Sequence, residues 1–120
     1  ADLGTLQRLP KLIGDGLVRE ITYTGRNVEG KEAEKIGIVN RSFENKENMM
    51  AEVMKIAESI ASKSPLSIRG TKHILLHTRD HSVADGLNYM ATWNAAMLLS
   101  NDLQEAFTAK MQKRDAYFEN

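Results

Sequence analysis

The chain has 120 residues, enough for one modest core, and its 16 Lys and Arg balance its 16 Asp and Glu. Without a basic surplus it lacks the electrostatic footprint of a nucleic-acid binder, and no partner of that kind is expected. It has no cysteine, which excludes disulfides, thiolate zinc sites and a cysteine nucleophile. No apolar run approaches the ~20 residues that cross a bilayer, so no membrane span is expected.

Two prolines, few aromatics and long stretches of Ala, Glu, Lys, Met and Leu predict a mainly α chain. Thr5 is placed to cap a first helix through Ile13, with Gly14-Asp15-Gly16 as its stop. Leu17, Val18 and Ile21 mark one face of a second helix ending at Thr24-Gly25. A short third helix starts at Asn27 or Val28 and closes at Gly37. Ile38 to Phe43 is the best extended segment, on its β-branched start. A single strand forms no sheet, so its partner must come from elsewhere.

Asn45 is positioned to cap the next helix, whose Met49, Val53, Ile56 and Ile60 form one predicted core-facing stripe. Met49, Met50 and Met54 read as packing residues. Ser64-Pro65 restarts the chain as a helix carrying Leu66, Ile74 and Leu75, because Ser caps and Pro suits the first helical position. Ser82 with Asp85 three positions on forms a capping-box signature. Val83, Leu87, Met90 and Met97 follow at helical spacing, with Tyr89 and Trp93 as candidate anchors of a helix–helix contact. Asn101-Asp102 opens a last helix carrying Leu103, Phe107, Met111, Arg114 and Phe118.

Four features bear on chemistry. Asp2 precedes a helix start, where a carboxylate serves either as a cap or as a general acid or base. His73, His77 and His81 recur every four residues, a spacing that could ligate zinc. The Glu of His-Glu-x-x-His is missing, however, so no metal site is expected and polar, helix-end histidines are the reading. Lys110, Lys113 and Arg114 lie within about one turn of the last helix and form either a solvated face or a phosphate clamp. Gly14-Asp15-Gly16 follows a helix and lacks a third glycine, which argues against a dinucleotide fingerprint; no Gly-x-Ser-x-Gly elbow occurs.

Longer strings carry a family resemblance. Gly4-Thr5-Leu6-Gln7-Arg8-Leu9-Pro10, Thr24-Gly25 with Ala33-Glu34-Lys35-Ile36-Gly37-Ile38-Val39, Ser64-Pro65 with Lys72, and Asn101-Asp102-Leu103-Gln104-Glu105-Ala106 with Lys113-Arg114 resemble the C-terminal half of the crotonase superfamily, the enoyl-CoA hydratases and isomerases. Ser62-Lys63-Ser64-Pro65, Arg79-Asp80-His81-Ser82-Val83 and Leu87-Asn88-Tyr89-Met90-Ala91-Thr92-Trp93-Asn94 are similar to its dienoyl-CoA isomerase branch. Ala1-Asp2-Leu3-Gly4-Thr5 sharpens the likeness, since hydratases usually carry Gly where Asp2 stands. The last helix departs from the pattern, with Ala106 for Gly, Lys110 for an adenine-packing Phe and Ala116 for Pro.

The resemblance implies the C-terminal helical portion of an α/β crotonase fold, with at most one or two short strands. Residues 1–63 would complete the core and 64–120 would form a helical trimerisation region. It implies a catalytic carboxyl at Asp2 and CoA phosphate contacts at Lys113 and Lys110. It also implies an acyl-CoA thioester substrate, no cofactor beyond the CoA the substrate carries, and a homo-oligomer (trimer or hexamer). The partner Glu, a supporting Asp and both oxyanion amides would lie upstream of Ala1, leaving this stretch alone inactive. A mitochondrial rather than peroxisomal site is implied, because Glu119-Asn120 is not the Ser-Lys-Leu address, or the cytoplasm for a bacterial protein. Alternatives are a hydratase or enoyl isomerase parent, or a non-catalytic helical assembly module.

Overall fold

A computed structural model describes residues 3–119. The described residues form seven α-helices and one 3₁₀ turn, without a strand. The helices are α1 (Thr5–Arg8), α2 (Asp15–Thr24), α3 (Gly30–Ile36), α4 (Lys46–Ala61), α5 (Pro65–His77), α6 (Val83–Met97) and α7 (Asn101–Gln112). Two compact units divide within α4, one through Val53 and one from Met54.

In the first unit, Gly4 rather than Thr5 caps α1, with φ +91°, and Thr5 is the first helical residue. Pro10 sits in the 3₁₀ turn Leu9–Lys11, so the predicted helix through Ile13 is interrupted where proline cannot supply an amide. Gly14 then serves as the N-cap of α2 instead of a helix stop. Gly25 and Gly37 close α2 and α3 in the left-handed conformation, where a glycine avoids the Cβ clash. Ile13, Val18 and Ala33 are buried. Arg26 follows α2 and reaches both Glu20 (3.0 Å) and Glu32 (2.7 Å), linking α2 to α3. Its hydrogen bonds hold the Glu32 carboxyl below the usual carboxylate range.

The segment from Ile38 to Phe43 is not extended sheet. The amides of Ile38 and Val39 donate back to the Ala33 carbonyl at 2.8 and 3.3 Å, finishing α3. Glu34 then accepts both the Ser42 amide at 2.8 Å and the Ser42 hydroxyl at 2.6 Å. Local partners thus take the Ile38, Val39 and Ser42 amides that a neighbouring strand would otherwise have to satisfy.

In α4, Asn45 accepts the Asn48 amide at 2.8 Å, as its capping role requires. The predicted core stripe is not buried: Met49, Val53, Ile56 and Ile60 are 38–50% exposed. Met50 and Met54 are similarly open.

The second unit is organised by caps and by one close helix crossing. Ser64 accepts the Ser67 amide at 3.0 Å with Pro65 at the first helical position, and Ser82 and Asp85 form the reciprocal capping box. Helices α5 and α6 approach closely at two buried glycines. A Cβ on Gly70 would lie 2.5 Å from Trp93 Nε1, and one on Gly86 would lie 2.5 Å from Thr78 Cγ2. Trp93 therefore anchors this crossing, as its aromatic character suggested. Ser64 Oγ also donates to Asp102 at 2.5 Å, tying the start of α5 to the first turn of α7. Val83 and Leu87 remain 80% and 63% exposed. No helix among the described residues is long and apolar enough to cross a membrane.

Candidate functional site

Asp2, the proposed catalytic carboxyl, lies outside the described residues. The chain that follows it is well defined chemically. Arg8 donates both its amide and its Nε to the Gly4 carbonyl, each at 3.1 Å, so the first helical turn is closed by its own side chain.

At the other end of the chain the basic cluster divides into two kinds of residue. Helix α7 ends at Gln112, and Lys113 is its C-cap in the left-handed conformation, φ 54° and ψ 39°. The helix therefore stops before Arg114 and Phe118, which were expected to continue it. Arg114 turns back onto Glu105, with its two terminal nitrogens 2.5 and 2.9 Å from the two carboxylate oxygens. Its Nε donates to Gln112 at 2.7 Å, and Glu105 also accepts the Tyr117 amide at 2.9 Å. These bonds pull the Glu105 carboxyl down to about 2 and raise the Arg114 guanidinium. Arg114 is thus committed to the fold. Lys110 and Lys113 are exposed and have no ion-pair partner among the described residues. Of the three predicted cations, two remain available to a ligand phosphate.

The histidines separate into two contacts. The His77 ring stacks on His81 at 3.8 Å and on Tyr89 at 4.3 Å, while His73 lies 5.8 Å from Trp93. His81 Nδ1 is 2.6 Å from the His77 carbonyl, just past the end of α5. Stacked faces aim their nitrogens along parallel planes, not at a shared point. Among the described residues no group of three or more metal-ligating side chains gathers.

The second unit also holds an apolar cavity of about 350 Å³. Leu66, Ile74, Met90, Trp93 and Leu103 line it, with Ser64 and Asp102 among its polar groups. Sequence reading did not foresee the Ser64–Asp102 link, because 38 residues separate the partners and neither carries a local cue to the other. The Glu105–Arg114 clasp was missed as well, although both residues belong to the closing motif quoted above.

A family model for enoyl-CoA hydratase/isomerase matches residues 1–120. The chain belongs to that family. Over 118 residues it is 49% identical to the peroxisomal Δ(3,5)-Δ(2,4)-dienoyl-CoA isomerase of Arabidopsis thaliana, covering 98% of this chain and 42% of the relative. Over 116 residues it is 47% identical to the mitochondrial Δ(3,5)-Δ(2,4)-dienoyl-CoA isomerase of Mus musculus, covering 96% of this chain and 36% of the relative. The chain therefore spans about two-fifths of the length of these enoyl-CoA hydratase/isomerase relatives. Its structure matches the enoyl-CoA hydratase of Bacillus anthracis with a TM-score of 0.90 at 30% identity, over 96% of this chain and 44% of that one. The crotonase fold expected from the quoted motifs is the observed one, represented by its helical portion.

Proposed function

We propose that this chain is the C-terminal part of a dienoyl-CoA isomerase of fatty acid β-oxidation, converting 3,5-dienoyl-CoA to 2,4-dienoyl-CoA. The observation that carries this reading is the 47–49% identity, over nearly the whole chain, to two proteins bearing that name. The matched hydratase structure, at 30% identity, supports a hydratase parent less well.

The reaction sets the chemical requirements. A base breaks the C2–H bond of the 3,5-dienoyl thioester, and that bond's electron pair enters a trienolate whose charge reaches the thioester oxygen. The double bonds shift by one carbon, and an acid forms a new C–H bond at C6. One carboxylate and one carboxylic acid suffice, together with amide donors at the thioester oxygen. Asp2 is assigned the base at C2, supported by its Ala-Asp-x-Gly-Thr setting. The second carboxyl and the oxyanion amides are assigned to residues outside this stretch.

The proton transfers need no cofactor beyond the substrate's own CoA. Lys113 and Lys110 are assigned to the CoA phosphates, supported by their exposure and by the lack of an ion-pair partner among the described residues, beside the committed Arg114. A trimeric or hexameric assembly is supported by the open apolar positions of α4 and α6. Mitochondrial residence is supported by the mouse relative's name and opposed by the plant relative's, with bacterial cytoplasm the third possibility.

The test is to offer the intact protein a 3,5-dienoyl-CoA and a 2-enoyl-CoA separately. Formation of the conjugated 2,4-dienoyl thioester, with little hydration of the enoyl substrate, is expected. Efficient hydration without isomerisation would overturn the assignment. The 120-residue chain alone is expected to be inactive on both.

A further inference from the structure

Lys113 is the one described non-glycine residue with positive φ. A left-handed helix cap is ordinarily supplied by Gly or Asn, because a Cβ there crowds the following carbonyl. A long, charged side chain at that point is therefore held against its own backbone preference, and such positions cluster at ligand sites. Several contacts maintain it. The Lys113 amide donates to the Ala109 and Lys110 carbonyls, and the Arg114 amide donates to Ala109 at 3.0 Å. The Arg114 side chain then locks onto Glu105, and Glu105 receives the Tyr117 amide from the tail beyond.

A solvated lysine at a helix C-terminus can simply offset the helix dipole, and Lys110 in the last turn of α7 already occupies such a position. That role needs neither a left-handed backbone nor a two-oxygen clasp on the next residue. The clasp fixes where the chain leaves α7, and so fixes the direction from which the Lys113 stem departs.

We propose that Glu105 and Arg114 are positioning residues that hold the Lys113 cap so that its ammonium, with that of Lys110, meets a phosphate group of a CoA ester. This rests on the assignment of Lys113 to CoA made above and adds to it the device that aims the lysine. Arg114 acts through Lys113 and does not itself contact the ligand, since its nitrogens are engaged within the chain.

The experiment is a double-mutant cycle on the intact protein, read by calorimetric titration with CoA. Lys113→Gly keeps the left-handed cap and removes the cation, and Arg114→Met removes the clasp and keeps the lysine. Each is expected to weaken CoA binding by about fivefold, the scale of an exposed charge contact. The double variant should be no weaker than either single one, because the clasp acts only through the lysine. The KM for a pantetheine thioester, which lacks the nucleotide phosphates, should be unchanged in Arg114→Met, showing that loss of the clasp leaves the fold intact.

Loss in Lys113→Gly but not in Arg114→Met, or losses that multiply, would overturn the positioning role and leave the lysine's assignment standing. No loss in Lys113→Gly would overturn both. A matching rise in KM for the pantetheine thioester in Arg114→Met would make the clasp a general structural element and overturn the proposal. Glu105→Gln supplies a second, milder break of the clasp and should follow Arg114→Met in direction.

Discussion

Replacing Gly70 with alanine opposes two effects of known size. Gly70 is buried in α5, and alanine in a helix interior is favoured over glycine by about 0.8–1.0 kcal/mol. Its new Cβ, however, would sit 2.5 Å from Trp93 Nε1, 2.7 Å from Cε2 and 3.0 Å from Cζ2. Optimal heavy-atom separations are about 3.5–4.0 Å, so the indole must move by roughly 1 Å. Overpacking of that kind costs about 1–3 kcal/mol. The balance predicts a net destabilisation of about 1 kcal/mol, a fall of several degrees in Tm for a unit of this size.

Trp93 is the only tryptophan of the chain, so its fluorescence reports the displacement directly. Thermal denaturation of Gly70→Ala, Trp93→Leu and the double variant completes the measurement. With the indole removed, Gly70→Ala should become stabilising by up to about 1 kcal/mol, the propensity term alone. Gly16→Ala in α2 is the control, since nothing lies within 4 Å of a Cβ there. Stabilisation by Gly70→Ala in the presence of Trp93, with unchanged emission, would refute the close approach of α5 and α6.

Three other outcomes follow from local geometry. Ser82→Ala removes half of the capping box and should cost about 1 kcal/mol in chemical denaturation, while Ser64→Ala, which loses both a cap and the Asp102 link, should cost more. The Glu105 carboxyl titrates at about 2 in the folded chain against an ordinary 4.5, so its contribution is complete above about 4.5 and is lost as pH falls toward 2. Glu105→Gln should flatten the acid limb of Tm against pH in that window, and an unaltered limb would contradict the clasp. The isolated chain should self-associate through its open apolar helix faces, which light scattering would detect; a clean monomer would count against an assembly role.

Elements whose signals are local were legible from sequence. Ser64-Pro65, Ser82 with Asp85, and the stops at Gly25 and Gly37 depend on bonds within about five residues, and all four form. The Ile38–Phe43 segment misled because strand formation depends on a neighbour, and Glu34 instead captures Ser42. The end of α7 misled for a related reason. The left-handed cap falls on a lysine, and the clasp holding that turn spans nine residues. The apolar stripe of α4 has helical period but stays open, because periodicity identifies a face without supplying what covers it. The family was readable from short strings, whereas the geometry around Lys113 depends on the Glu105–Arg114 clasp, which no short string encodes.

The proposed function turns on transfer of the C2 proton by Asp2. In the intact protein, Asp2→Asn keeps the side chain's size and removes its basicity. Turnover of a 3,5-dienoyl-CoA is predicted to fall by about 10²–10⁴-fold while CoA affinity is retained. An Asp2→Asn enzyme that isomerises the substrate at close to the unmodified rate would contradict it.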